Sequence, residues 1–294
     1  MTIVWRSLQY VPAHREKHVT SSRLAQADAV ILDLEDAVPT EDKAAARNGL
    51  KSAVKAVGRW GADVLVRINA EPELADADVA AAVAAGAIAL VVPKVEGAED
   101  IRRLEPVIAA AERVAGVAVG STRLVVLIET ARGLLSMSAS LGASARIAAV
   151  NLGNEDFARD LGVEPSEDLL TYPRQQMIIA AVAAGVLPLG LAGSATRFDD
   201  LEAYRRLAER SRRLGHVGAT CIHPDQIAVL NEVFAPSEAE VADALAIIDA
   251  ARMAGQGAFA VNGRMIDKPV LSRAINVLDR KSSIESKPKS SLNK

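Results

Sequence analysis

The 294-residue chain is 50% hydrophobic and 24% charged, a globular balance that excludes disordered and fibrous classes. Its formal charge of -3 and pI near 5.9 provide no basic field, so neither nucleic acid nor a membrane surface is expected as a partner. The single cysteine, Cys221, leaves no disulfide framework and, with no long apolar N-terminal run, points to the cytoplasm.

In chain order, short β-branched runs alternate with alanine-rich amphipathic stretches. The candidate strands are residues 4–11, 29–34, 63–69, 88–93, 124–129, 147–153, 186–191 and 219–223. Between them, stretches such as 43–57, 98–115, 172–184 and 201–214 are long enough for crossover helices. Eight βα units in roughly 230 residues match the ~250 residues of a (β/α)8 barrel. No Gly-x-Gly-x-x-Gly follows the first strand to favour an open dinucleotide-binding sheet. The predicted fold is therefore α/β, a (β/α)8 TIM barrel over residues 1–236, with a core of Val, Ile, Leu and Ala. After Pro236 the period changes. Ser237 caps a helix running to about Ala254, residues 255–263 read as loop, and 268–279 as a last helix. Together, 237–279 form a C-terminal helical extension or lid, and 280–294, rich in Ser and Lys, read as a disordered tail.

A barrel builds its active site at the carboxyl ends of its strands. Polar residues collect there: Asp33-Leu34-Glu35-Asp36, Arg67-Ile68-Asn69, Lys94-Val95-Glu96, Glu129-Thr130, Asn154-Glu155-Asp156 and His223-Pro224-Asp225. Such groups are costly in a closed core, so they should line an accessible cavity. Glu129 and one of Glu155 or Asp156, on adjacent strand ends with no His or Cys beside them, make a hard-oxygen pair suited to Mg²⁺. The competing reading salt-bridges Glu129 to Arg67 or Lys94. Arg67 suits an anionic substrate group, against a structural ion pair with Glu35 or Asp36. His14 and His18 lack the adjacent Glu of a zinc-protease motif and read as a solvated turn. Cys221 reads as core, the arginines between 205 and 213 as a solvated helix face, and His223 as either a ligand or a loop-shaping residue.

With these blocks assembled, the chain resembles the HpcH/HpaI aldolase and citrate lyase superfamily, in its citrate lyase β-subunit-like branch. The resemblance runs to about Val277 and rests on Ala27-Asp28-Ala29-Val30-Ile31-Leu32-Asp33-Leu34-Glu35-Asp36, Val66-Arg67-Ile68-Asn69 and Val92-Pro93-Lys94-Val95-Glu96. It continues in Leu127-Ile128-Glu129-Thr130-Ala131-Arg132-Gly133, Gly153-Asn154-Glu155-Asp156 and Cys221-Ile222-His223-Pro224-Asp225. It implies a TIM barrel, Mg²⁺ held by Glu129 and Asp156, and Arg67 gripping a small oxo acid. It also implies reversible carbon-carbon cleavage of a 3-hydroxyacyl-CoA or related hydroxy acid, in a homotrimer or homohexamer whose C-terminal segment covers a neighbour's site. Arg67, Asp36 and Glu35 are the catalytic candidates, with Asp36 or a water on the metal as base; Arg67, Arg15 and Lys94 are the substrate-binding candidates. The alternatives are a 4-hydroxy-2-oxo acid aldolase, a malyl-CoA-type thioesterase and a barrel that only binds an acyl ligand. Two places depart from the family pattern: Val11-Pro12-Ala13 stands where Val-Pro-Gly is usual, and no acid precedes Asp199 near the seventh strand.

Overall fold

The structure, a computed structural model, describes residues 3–193, 199–254, 259–261 and 264–287. Contacts divide the described residues into a unit spanning residues 5–231 and a second unit of residues 232–287 that includes residues 3–4.

In the first unit the strands are β1 (Ser7–Pro12), β2 (Ala29–Asp33), β3 (Asp63–Arg67), β4 (Ala89–Val92), β5 (Arg123–Ile128), β6 (Ile147–Leu152), β7 (Leu187–Leu189) and β8 (Ala219–Cys221). Each named pair is parallel, in the order β7-β6-β5-β4-β3-β2-β1-β8. A parallel bridge from Leu189 to Gly218, with Gly190 N–H donating to the Gly218 carbonyl at 2.9 Å, closes the ring. The strands are apolar on both faces, β2, β4 and β6 being buried throughout, because one side fills the barrel and the other receives helices. The helices are α1 (Glu16–Val19), α2 (Lys43–Gly58), α3 (Pro72–Ala85), α4 (Ala98–Ala115), α5 (Ala131–Leu141), α6 (Asn154–Asp160), α7 (Glu167–Ala184) and α8 (Leu201–Leu214), with α9 (Asp225–Val233) running up to the second unit. Gly86 and Gly185, at φ 89° and 69°, stop α3 and α7 in a left-handed turn that an L side chain resists, and so return the chain to β4 and β7. This is the predicted TIM barrel.

Several predicted boundaries move. The first strand starts at Ser7 rather than Val4. Helix α7 begins five residues before Tyr172, because the Ser166 hydroxyl caps it by accepting from Leu169 N–H at 3.2 Å. Pro173, the second residue of the predicted stretch, therefore lies inside the helix.

The second unit holds α10 (Glu238–Ala254), β9 (Phe259–Val261), β10 (Arg264–Ile266) and α11 (Lys268–Glu285). The stretch 255–263, expected as loop, contributes β9 to an antiparallel pair with β10. Its Gly-rich composition had masked the short strand. Ala244, Ile247, Ile266, Val270 and Ala274 make this unit's own small core. Helix α11 runs six residues beyond the expected Asp279, so the start of the expected tail is helical, and 288–294 lie outside the described residues.

Candidate active site

Register brings the first two charges together. On the paired strands β2 and β3, Asp33 stands opposite Arg67. Arg67 Nε donates to Asp33 Oδ1 at 2.7 Å and Nη2 to Oδ2 at 2.6 Å, a bidentate pair with both residues buried. Its third nitrogen, Nη1, donates to Asp36 Oδ2 at 3.1 Å and lies 3.0 Å from Glu35 Oε2. The guanidinium sits over the Tyr10 ring, 5.1 Å from its centroid. Burial opposes the Arg67 charge, but the bond to Asp33 and the charges of Asp33 and Glu35 outweigh it and raise the pKa further.

Lys94, just past β4, adopts a left-handed φ of 51°, a costly conformation for a lysine that turns its backbone N–H toward Glu129. That N–H donates to Glu129 Oε2 at 2.7 Å, while Lys94 Nζ donates to Glu35 Oε1 at 2.7 Å. One strained residue thereby holds two carboxylates. Burial works to lower the Lys94 pKa, and the bond to Glu35 turns the net shift upward. Glu35 is raised, by burial first, against the pull of Arg67 and Lys94.

Glu129, at the end of β5, is only 3% exposed. Burial pushes its carboxyl up to about 7 against the Lys94 N–H, with Glu35 and Asp156 adding like-charge repulsion and Arg67 opposing. Gly153 ends β6 beside it: a Cβ there would stand 2.6 Å from Glu129 Cγ, so the close approach requires glycine. Next, Asn154 opens α6 and its Nδ2 donates to the Leu191 carbonyl at 3.2 Å and the Gly193 carbonyl at 2.8 Å, tying the end of β7 to the end of β6. Asp156, in the first turn of α6, pairs with Arg159 at 2.7 Å.

Tyr10, Asp33, Asp36, Arg67, Glu129 and Asp156 all line a cavity of about 420 Å³ at this end of the barrel. Glu35 and Lys94 stand behind the lining and act on it through Arg67 and Glu129. Arg15 is not brought into it: it is exposed at the N-cap of α1 and does not line the cavity. A second cavity of about 570 Å³, between α1 and α2, is lined largely by small residues and holds none of the strand-end acids. His223 shapes its loop, its backbone N–H donating to Gln226 Oε1 at 3.1 Å, and Cys221 is core with its thiol pushed up by burial.

Sequence reasoning passed over Asp33 and Tyr10. Asp33 carried a signal, since aligning the ends of the second and third predicted strands sets it opposite Arg67. Tyr10 lay inside an apolar run that looked like filling. The stretch opened by Gly190 is described only to Gly193, and Ser194 to Thr196 lie outside the described residues.

The Glu129 and Asp156 carboxylates give hard oxygen donors without imidazole or thiolate, Glu129 resisting ionisation chiefly through burial and further through its carboxylate neighbours, and such a donor set fits a divalent cation of the Mg²⁺ kind. Among the described residues no cluster of three or more His, Cys, Asp or Glu forms a fuller cage. Two carboxylates leave the other positions to water and ligand oxygens, as Mg²⁺ commonly does.

Fold and site together define a (β/α)8-barrel protein with an acidic strand-end cavity organised around one pinned arginine. The chain belongs to the HpcH/HpaI aldolase/citrate lyase family, whose profile matches residues 6–224. It is 33% identical to the citrate lyase subunit beta of Leuconostoc mesenteroides subsp. cremoris over 93% of this chain and 92% of that one. It is also 33% identical to a (3S)-malyl-CoA thioesterase of Cereibacter sphaeroides, covering 90% of each. Among solved structures, CitE from Mycobacterium tuberculosis, in complex with magnesium, acetoacetate and coenzyme A, is 28% identical, with a TM-score of 0.77 over 96% of this chain and 100% of that one. No helix among the described residues is long and apolar enough to cross a membrane.

Proposed function

We propose that this protein is a Mg²⁺-dependent carbon-carbon lyase that cleaves a 3-hydroxyacyl-CoA or related hydroxy acid and condenses the products in reverse. The observation that carries the reading is the placement of Glu129, Asp156 and Arg67 around one cavity in a member of this family. The CoA and magnesium bound by CitE from Mycobacterium tuberculosis support the same substrate class and metal. Glu129 and Asp156 would hold Mg²⁺, which when bound offers an electrophilic centre for the oxo acid's oxygens.

The chain's own groups divide the remaining work. Asp33 keeps the Arg67 guanidinium oriented, leaving its outer edge, where the exposed Asp36 now sits, for a substrate carboxylate. Lys94 fixes Glu129 and Glu35. Asp36 is the proposed base. Removing the substrate's hydroxyl proton lets the adjacent carbon-carbon bond break, its electron pair passing to the thioester fragment as an enolate while a carbonyl forms on the departing oxo acid.

A second reading, a malyl-CoA-type thioesterase, is favoured by the 33% identity to the Cereibacter enzyme. Incubation with malyl-CoA or citryl-CoA and Mg²⁺ separates the two: an oxo acid with an intact shorter acyl-CoA marks the lyase, and free CoA without oxo acid marks the thioesterase. Neither product from any 3-hydroxyacyl-CoA would leave only a binding role. For the metal, Glu129→Gln and Asp156→Asn should each weaken Mg²⁺ binding by about tenfold or more in calorimetry. Unchanged affinity in both variants would refute the ligand pair.

The lid role of 237–279, an assembly as homotrimer or homohexamer and a cytoplasmic location complete the proposal. Light scattering checks the assembly.

A further inference from the structure

Among the described residues the site holds a donor that the scheme above leaves idle. Tyr10 lies on β1 and lines the cavity, its ring against the Arg67 guanidinium at 5.1 Å. Among the described residues no hydrogen bond engages its hydroxyl. The other donors have work already: Arg67 gives Nε and Nη2 to Asp33 and keeps its Asp36 edge for the carboxylate, Lys94 gives Nζ to Glu35, and Asn154 gives Nδ2 to two carbonyls. Asn151 and Thr220 are also neutral and line the cavity, but of the three Tyr10 is the one packed on Arg67.

A small oxo acid presents two kinds of oxygen. Its carboxylate is matched by the guanidinium, whereas its carbonyl carries no formal charge and is matched by a neutral donor. We propose that the Tyr10 hydroxyl is a substrate contact of the lyase reading above, donating a hydrogen bond to the carbonyl oxygen of the oxo acid. In the condensation direction that oxygen gains negative charge as the new carbon-carbon bond forms, and the donated bond strengthens with it. The phenol keeps its proton throughout. Burial pushes its pKa upward, Arg67 opposes, and Asp33, Glu129 and Glu35 add to the rise, so Tyr10 acts as donor and not as acid.

Tyr10→Phe in the full chain keeps the ring against Arg67 and removes only the hydroxyl. The probes are pyruvate and propionate, which share a carboxylate and differ in the carbonyl, titrated calorimetrically with Mg²⁺ present. Wild type should bind pyruvate more tightly than propionate. In Tyr10→Phe, pyruvate affinity should fall by about tenfold with propionate and Mg²⁺ affinities unchanged, the effect of one lost hydrogen bond. Equal losses for both acids, or none for pyruvate, would overturn the assignment while leaving the oxo-acid reading in place. Wild type that does not distinguish the two acids would overturn both.

Discussion

At the scale of single residues, Arg67 is where structure changes what a mutation should do. Pairing with Glu35 or Asp36 had been the competitor to a substrate role, yet the strongest partner is Asp33, which is 1% exposed and takes two charge-assisted bonds from the guanidinium beside those from the Glu35 and Ala37 N–H groups. Arg67→Lys keeps the charge and loses the fork, so turnover should drop by about 10²-fold. It should also lower stability by about 1–3 kcal/mol, because Asp33 loses one of its two charge-assisted bonds while buried. Steady-state kinetics beside urea denaturation reads both. A fall in turnover with unchanged stability would show that Asp33 is satisfied some other way. Gly153→Ala tests the neighbouring carboxylate: its backbone φ of -76° suits alanine, so the whole effect comes from the methyl group that meets Glu129. The expected result is weaker Mg²⁺ binding, by about tenfold, with near-normal circular dichroism. The charged strand ends were legible because acids and arginines after apolar runs stand out. What they bond to was not, since Lys94 acts on Glu129 through a backbone N–H that no residue type announces.

At the scale of elements, the alternation of apolar runs and amphipathic stretches was enough to find all eight barrel strands, because parallel strands buried on both faces leave a continuous apolar signature. Ends were read less well where one cap decides them, as at Ser166, and the β9-β10 pair was hidden by glycine. The opposite end of the barrel carries a feature that composition conceals. Arg146, before β6, donates from Nη1 and Nη2 to both oxygens of Glu112 on α4 at 2.8 Å, and from Nε to Glu105 at 2.9 Å. Glu112 is fully buried. Burial alone would raise its pKa, but Arg146 and the Thr122 and Gly120 N–H groups bring it down to about 2. A depressed carboxylate stabilises the fold above its unfolded pKa, and the contribution disappears as pH falls through the folded one. Wild type should therefore lose stability between about pH 4.5 and pH 2 through this residue. Glu112→Gln should be less stable by about 3 kcal/mol at pH 7, because buried Arg146 loses its bidentate carboxylate and keeps only Glu105 as a charged partner, and should show a shallower decline on acidification. Urea midpoints at pH 7 and pH 3 check it, and parallel declines in the two proteins would rule Glu112 out.

At the scale of the molecule, the barrel is complete before residue 232: the Leu189 to Gly218 bridge closes the ring without help from the second unit. That completeness makes the proposed lid separable from the fold. The second unit is held by a small apolar cluster drawn from α10, β10 and α11, so where the chain is cut matters. Ending it after Ala254 would keep α10 but strip Ile266, Val270 and Ala274 from Ala244 and Ile247, exposing an apolar face and inviting association. Ending it after Pro236 removes the cluster whole. The Pro236 truncation should thus remain soluble and melt in one cooperative transition, while the Ala254 truncation aggregates. If residues 237–279 cover an active site, the Pro236 truncation should also lose turnover by about tenfold or more, since an open site admits water and leaves the substrate less well held. Mixing an inactive Arg67 variant that keeps its second unit with the Pro236 truncation then asks whose site is covered. Recovered activity means the segment acts on a neighbouring copy, no recovery with a clear loss in the truncation means that it acts within its own chain, and full activity in the truncation alone would refute the lid.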